Sequence, residues 1–122
     1  MPRENDESIG DDVVLWRAVY PDQIEIVDNT EKPESWAFKD REEEVSAYIA
    51  SETTLEWFHV HFPDDRVAEF TAGDARRCGH SVARDPTPEA PFHVVLCPLP
   101  GSGNKKLKNR KMLCKLSKVL PG

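Results

Sequence analysis

The chain has 122 residues and a mass of 13.8 kDa, a length that is typical of one domain and excludes a large multi-domain enzyme. Hydrophobic residues make up 39% of the sequence and charged residues 31%, so we expect one modest core. Residues 1–100 hold all 22 acidic and nine of the 16 basic residues, a net charge of −13, whereas residues 101–122 hold the other seven basic residues and no acidic ones, a net charge of +7. We expect this basic tail to fold on the acidic body or to bind another protein, because the body repels nucleic acid.

The cysteines and the chain start predict a cytoplasmic setting. Cys78, Cys97 and Cys114 are widely spaced and odd in number, which argues against a disulfide framework. Residues 1–12 are polar and acidic and carry no signal-peptide pattern. The apolar runs are shorter than the roughly 18 residues that a membrane span needs, so no membrane contact is expected.

Hydrophobic patterning predicts a single compact α+β domain over residues 13–99, with a mixed or antiparallel sheet. Before it, residues 1–12 are expected to be a disordered acidic lead-in. After it, residues 100–103 are expected to be a flexible hinge. Strands are predicted near 13–20, 23–27, 45–51, 67–70, 81–84 and 92–99, short helices near 54–62 and 72–78, and a polar turn at 28–35.

Two short helices carry predicted start signals. Thr53 and Glu56 have the spacing of a capping box, in which the hydroxyl accepts from a helical N–H and the carboxylate reaches back. Thr71 and Asp74 repeat this pattern, and Gly79 is placed to end the second helix.

The last predicted element is a basic amphipathic helix over residues 104–120. At about 100° per residue its apolar side chains share one stripe, which predicts a docking surface for another protein chain. The stripe consists of Met112, Leu113, Leu116, Val119 and Leu120. Basic residues lie outside it, and the candidates for contact with nucleic acid are Lys105, Lys106, Lys108, Arg110 and Lys111.

Arg17 lies inside the first predicted strand, where a charge needs a partner or a cleft. The candidate partners are Glu44, Glu69 and Asp85. Together with Ser46 and Glu69 on other strands, Arg17 would supply the ingredients of an ADP-ribosyltransferase-like cleft, in which the arginine holds phosphates and the glutamate orients the ribose. A structural salt bridge is the favoured interpretation.

The loop from Asp85 to His93 contains three prolines, which fix the backbone without a ladder of hydrogen bonds. At its two ends, Asp85 and His93 present a carboxylate and an imidazole, which are candidate functional groups of a binding or catalytic site. We favour a structural role, in which His93 closes the loop by bonding its carbonyls.

Histidines and a cysteine form the nearest approach to a metal set. The residues are His59, His61, Cys78 and His80, donors of the kind that zinc prefers. The predicted helix separates His59 from His61 by about 200°, so we predict no metal and no cofactor.

Four short motifs stand along the chain. They are Leu15-Trp16-Arg17, Ser35-Trp36-Ala37-Phe38, Glu44-Val45-Ser46 and the segment from Asp85-Pro86 to Pro91-Phe92-His93-Val94. In this order they resemble a group of small bacterial proteins that have no established activity, over roughly residues 13–97. The resemblance implies a bacterial intracellular protein, and it makes Arg17, Ser46, Asp85 and His93 the first positions to test.

These observations favour a non-enzymatic protein-interaction module, an accessory subunit of a bacterial multi-protein system that docks through the helix at 104–120. The alternative is a small enzyme or nucleotide-binding domain whose cleft is lined by Arg17, Ser46, Asp85 and His93. A third hypothesis is nucleic-acid binding through the basic helix, which a strong inverse dependence of affinity on salt would reveal.

Overall fold

The fold is built on a central antiparallel β-sheet. The computed structural model describes residues 5–38, 44–97, 101 and 103–121. The strands are β1 (Val14–Val19), β2 (Ile24–Val27), β3 (Thr30–Pro33), β4 (Val45–Ile49), β5 (Arg66–Thr71), β6 (Val82–Arg84), β7 (His93–Leu96) and β8 (Lys118–Val119), and the helices are α1 (Leu55–His61), α2 (Ala72–Arg77) and α3 (Gly103–Leu116). The sheet order is β6-β7-β4-β1-β5-β8, and β2 and β3 form a separate hairpin. Every pairing among the described residues is antiparallel, which confirms the predicted single α+β domain.

Alternation along the central strands places one face of the sheet against the core. Val45, Ala47 and Ile49 of β4 are buried and alternate with partly exposed residues, as the period of two of a strand requires. Leu15 of β1 pairs with Ile49 and is fully enclosed. The core combines this face with side chains from the N-terminal segment, the 3-10 turn after β3, β7 and α3. Its largest members include Ile9, Leu15, Phe38, Leu96 and Leu113.

The two predicted capping boxes have different outcomes. Thr71 accepts from the backbone N–H of Asp74 and Asp74 accepts from that of Thr71, each at 3.0 Å, as predicted. For α1 the cap is Thr54, whose hydroxyl accepts from the backbone N–H of Trp57 at 3.1 Å. The predicted cap at Thr53 is therefore wrong by one residue, because the short 3-10 turn at Ala50–Glu52 ends on Thr53.

The C-terminal helix is shorter than predicted. α3 ends at Leu116, and the chain continues into β8, where Val119 pairs with Ala68 of β5. Leu120 follows that strand, and its N–H donates to the carbonyl of Val67. The prediction of one helix to residue 120 failed because Val119 and Leu120 also fit the helical period of 3.6 residues. In the structure these two residues lie instead at the edge of the sheet, beside β5.

The N-terminal segment is part of the domain over residues 5–12, whereas a disordered lead-in was expected. Ile9 is only 2% exposed and lies in the core. The N–H of Asp6 donates to the carbonyl of Val82 at 2.7 Å, and Arg76 binds Asn5, Asp6 and Asp11. These contacts order a segment whose composition is typical of disorder.

A hairpin takes the place of the predicted turn at 28–35. Asp28 and Asn29 adopt positive φ angles of 52° and 62°, as a two-residue type I′ turn requires. The strands β2 and β3 pair on either side of it over four residues each. Trp36, Ala37 and Phe38 follow in a 3-10 turn, where Ala37 and Phe38 are buried in the core.

Some predictions lie outside the described residues. They concern residues 1–4, the charge run at 39–43, the end of the strand predicted at 92–99, and parts of the hinge at 100–103. Among the described helices, none is long and apolar enough to cross a membrane.

Candidate functional site

Arg17 is bound to the backbone of two neighbouring segments. Its Nε donates to the carbonyl of Ala37 and its Nη1 to the carbonyl of Ser46, both at 2.7 Å. The registered pairs of β1 and β4 are Leu15 with Ile49 and Trp16 with Tyr48, so Arg17 joins β1 to β4 beyond the last registered pair. It thereby stabilises the sheet where the ladder ends.

The predicted partner Glu69 is used elsewhere. Its carboxylate accepts from the indole N–H of Trp16 at 2.8 Å and lies 3.0 Å from the ammonium of Lys118. These contacts connect β5 to both of its neighbours, β1 and β8, so the role of Glu69 in the sheet is structural.

Asp85 and His93 do lie together, at the two ends of the proline-rich loop. The imidazole Nδ1 of His93 is 2.7 Å from the backbone carbonyl of Asp85 and 3.3 Å from its carboxylate. The backbone N–H of Asp85 also donates to the carbonyl of His93. His93 is buried beside the ring of Tyr48. This geometry supports the favoured structural role, in which the histidine closes the loop.

Burial keeps two of the three thiols, Cys78 and Cys114, in the protonated form. Burial raises the pKa of Cys78 to about 11 and that of Cys114 to about 12. Because the thiolate is the nucleophile and the metal ligand, neither side chain suits nucleophilic catalysis at neutral pH. Among the described residues, no group of three or more His, Cys, Asp and Glu side chains is placed to hold a metal ion.

The four residues weighed for zinc are dispersed among other uses. His61 stacks on Trp57 with ring centroids 4.0 Å apart, and His59 is exposed on α1. His80 is buried, and its Nδ1 lies 2.7 Å from the carbonyl of Cys97. Nothing in this placement converges on a cation.

The predicted docking stripe of α3 is divided by the fold. Leu113 is fully buried in the core, as is the neighbouring Cys114. Met112 and Leu116 are exposed, while Val119 and Leu120 belong to the β8 region. The side of α3 that faces the domain is therefore rotated from the predicted stripe towards Cys114.

The side of α3 that faces solvent is predominantly basic, and we call it the outer face. It consists of Lys105, Leu107, Lys108, Lys111, Met112, Lys115 and Leu116, all exposed. None of its four lysines has an ion-pair partner within the described residues. Arg110 and Lys106, also predicted candidates for nucleic acid, are only partly exposed and lie outside this face. A shallow groove of about 390 Å³ runs along the outer face.

A larger cleft of about 660 Å³ lies between the β2–β3 hairpin and α3, and we call it the hairpin cleft. On the hairpin side it is lined by Glu25, Val27, Asp28, Thr30, Lys32 and Pro33, on the helix side by Lys111, Cys114 and Lys115, and at one end by Glu34, Ser35 and Trp36. The volume falls in the range of roughly 300–1,000 Å³ that is common for ligand sites.

Lys32 anchors the hairpin to the end of α3. Its ammonium donates to the carbonyl of Lys115 at 3.1 Å and to that of Ser117 at 2.6 Å. A cation at the C-terminus of a helix binds carbonyls that lack intrahelical partners and complements the helix dipole. On the other side of the hairpin, Glu31 forms a two-bonded ion pair with Arg66 at 2.9 and 3.0 Å. The hairpin wall is therefore fixed on both of its faces.

The sequence analysis missed the hairpin cleft. The strand predicted near 23–27 and the polar turn predicted at 28–35 include Glu25 and Asp28, but no cleft was predicted beside them. The signal that could have found the hairpin is Asp28-Asn29, two residues that tolerate positive φ, directly after the alternating segment Ile24–Val27. Trp36 is 44% exposed at the cleft, and its indole donates to Glu34.

Comparison of the chain with models of known protein families, with curated proteins and with solved structures found no match. The resemblance to small bacterial proteins stays a prediction.

Proposed function

We propose that the protein is an interaction module that binds an acidic segment of another protein on the outer face of α3. The observation that carries the proposal is the set of four exposed lysines, Lys105, Lys108, Lys111 and Lys115, which lack ion-pair partners within the described residues and stand beside exposed apolar side chains. It keeps the predicted docking helix but moves the docking surface to another face.

Charge complementarity favours an acidic partner. The segment 101–122 carries seven basic residues and no acidic one, so a partner carboxylate that approaches the outer face meets no like charge from α3. Charge pairs of this kind raise the association rate and set specificity more than they add affinity.

Apolar contacts supply the remaining binding energy. Met112 and Leu116 are 40% and 41% exposed and flank the lysines of the outer face. Burying apolar side chains is favourable at roughly 25 cal/mol per Å². A partner with alternating acidic and apolar residues, presented on one side of a helix, satisfies both parts of this surface.

A protein partner is favoured over nucleic acid because of the remainder of the molecule. Residues 1–100 carry a net charge of −13, and such a charge repels phosphates at the distances over which counterion release would otherwise favour binding. A compact acidic segment reaches the outer face alone, whereas an extended duplex would also approach the acidic body.

The test uses the full chain and a labelled synthetic peptide of Glu, Ala and Leu whose leucines share one helical side. Fluorescence anisotropy is expected to show saturable binding that weakens as salt is added. Lys108→Glu should weaken it by about fivefold, the upper end for an exposed charge pair. The matched control is Arg77→Glu, the same charge change at a 69% exposed side chain on α2, which should leave the affinity within about twofold.

A second pair of variants tests the apolar part. Leu116→Glu should weaken peptide binding more than Val60→Glu, the same change at an apolar residue of α1 that is 70% exposed. The proposal would be contradicted if the acidic peptide bound equally well to the two variants of the outer face, Lys108→Glu and Leu116→Glu, and to their controls, Arg77→Glu and Val60→Glu. Tighter binding of duplex DNA than of the peptide, lost in Lys108→Glu, would replace it with nucleic-acid binding.

A further inference from the structure

Unpaired charges of opposite sign face each other across the hairpin cleft. Lys111 and Lys115 lie on the helix wall, and Glu25 and Asp28 lie on the hairpin wall. All four side chains are exposed, and among the described residues none of them takes part in an ion pair with another. The charges on the two walls could have formed ion pairs with each other and closed the cleft, but the cleft is open.

Two contacts fix the position of the hairpin wall relative to the helix. Lys32 holds β3 to the last carbonyls of α3, and Glu31 holds the opposite side of the hairpin to Arg66. Because both anchors use groups other than the four unpaired charges, the hairpin cannot turn towards the helix without breaking them. A site that is formed before its ligand arrives loses less entropy on binding.

The surface between the walls is apolar and aromatic. Val27 and Trp36 are each 44% exposed there, and Pro33 and Cys114 lie deeper. Burial and the carboxylates of Glu25 and Glu34 raise the pKa of Cys114, so the thiol adds no charge. A ligand that fits has an apolar middle and two charged ends.

We propose that the hairpin cleft binds a short peptide with free termini, its ammonium group on Glu25 and Asp28 and its carboxylate on Lys111 and Lys115. This site shares Lys111 and Lys115 with the docking surface on the outer face of α3, whereas Lys105 and Lys108 belong to the docking surface alone.

The dimensions select a short peptide over a single amino acid. The cleft volume of about 660 Å³ lies in the range of sites that enclose a drug-sized ligand, a size closer to a tripeptide than to one amino acid. The two charges of a free amino acid are carried by one residue, so such a ligand would leave most of this volume empty. A tripeptide separates its end charges by about two further residue lengths and leaves its middle side chain over Trp36.

The test compares four forms of alanyl-leucyl-alanine binding to the full chain: free, N-acetylated, C-amidated, and blocked at both ends. Binding is measured by calorimetry and by the change in tryptophan fluorescence, to which Trp36 contributes. The free peptide should bind tightest, and each block should weaken binding by about fivefold, as the loss of one exposed charge pair does.

Variants assign each end of the peptide to its wall. In the double variant Glu25→Gln and Asp28→Asn, acetylation should no longer change the affinity, since its target charges are gone. Asparagine tolerates the positive φ at position 28, so the hairpin turn is kept. In the double variant Lys111→Met and Lys115→Met, C-amidation of the peptide should no longer change the affinity. The control Ile26→Ser, on the other face of the hairpin, should retain both discriminations.

Two results would overturn the proposal. One is equal binding of the free and doubly blocked peptides, including no binding of either. The other is discrimination against the acetylated peptide that persists in the Glu25→Gln and Asp28→Asn variant, which would place the site elsewhere. That variant should still bind the acidic peptide of the docking test, and Lys108→Glu should still bind the tripeptide, so failure of one proposal is distinguishable from failure of the other.

Discussion

His80 is a buried imidazole whose two nitrogens have different surroundings. Its Nδ1 lies 2.7 Å from the carbonyl of Cys97, an acceptor, so this nitrogen carries the proton and donates. Its Nε2 is buried and has no hydrogen-bond partner within the described residues. Burial lowers the pKa of His80, and the nearby cation of Arg110 lowers it further, while the hydrogen bond to Cys97 opposes them. The folded state therefore favours the neutral imidazole.

Acid should destabilise the protein through His80. The folded pKa lies below the ordinary value of 6.5, so between these two values the unfolded chain binds a proton that the folded chain does not. The free energy of unfolding must then fall as the pH drops below about 6.5. His80→Asn, whose amide can keep the bond to Cys97, should reduce this loss. Urea unfolding of the native protein and of His80→Asn, at neutral and at mildly acid pH, measures this loss of the free energy of unfolding. An equal loss in the two proteins would contradict the role of His80.

The sequence could not specify which groups each side chain of the candidate site binds. Arg17 was expected to need partners, and its hydrogen bonds to the carbonyls of Ala37 and Ser46 are contacts that the sequence did not predict. Which backbone carbonyls lie within reach of a side chain depends on strand register and on the path of the chain, neither of which residue type alone specifies. The Asp85–His93 contact was predictable because a stiff loop joins them.

At the scale of elements, α3 is held by a different side from the one that its periodicity suggested. Leu113 and Cys114 face the core, the hydroxyl of Ser117 donates to the carbonyl of Leu113 at 2.7 Å, and Lys32 binds the end of the helix. The helix is therefore a structural part of the domain, and only its outer face is available for a partner.

Two leucines of α3 should differ sharply in their contribution to stability. Leu113 is 0% exposed, so Leu113→Ala leaves a cavity and should lower the free energy of unfolding by about 2–5 kcal/mol. Leu116 is 41% exposed, and Leu116→Ala should cost less than about 1 kcal/mol. Chemical denaturation of the two variants measures this difference. Similar losses would mean that α3 does not pack through Leu113.

Most element types could be predicted, and the errors share one physical cause. The strands near 13–20, 45–51 and 67–70 and the helices near 54–62 and 72–78 follow from local alternation and capping. The position of the β2–β3 hairpin against α3, the end of α3 and the burial of Ile9 each depend on contacts with distant segments. In the hairpin, for example, Lys32 binds the end of α3 and Glu31 binds Arg66, and neither contact leaves a periodic signal in the sequence.

At the scale of the whole molecule, the two edges of the main sheet are protected in different ways. β8 is only two residues long and lies against β3. At the other edge, the N–H of Asp6 donates to the carbonyl of Val82 on β6, and the side chain of Asn5 accepts from the N–H of Val82. Exposed strand edges pair with other chains unless they are short or covered. The N-terminal segment therefore has a second role besides placing Ile9 in the core.

Removal of residues 1–9 should expose the β6 edge and cause self-association. It should also destabilise the domain, because Ile9 is only 2% exposed. Ile9→Ala separates the two effects, since it removes core contacts at a cost of about 2–5 kcal/mol but keeps the bonds to Val82. Light scattering over a range of concentrations should show a monomer for the full chain and for Ile9→Ala, and a mass that rises with concentration for the truncated chain. A truncated chain that stays monomeric, with the stability of the full chain, would show that neither the edge nor the core depends on this segment.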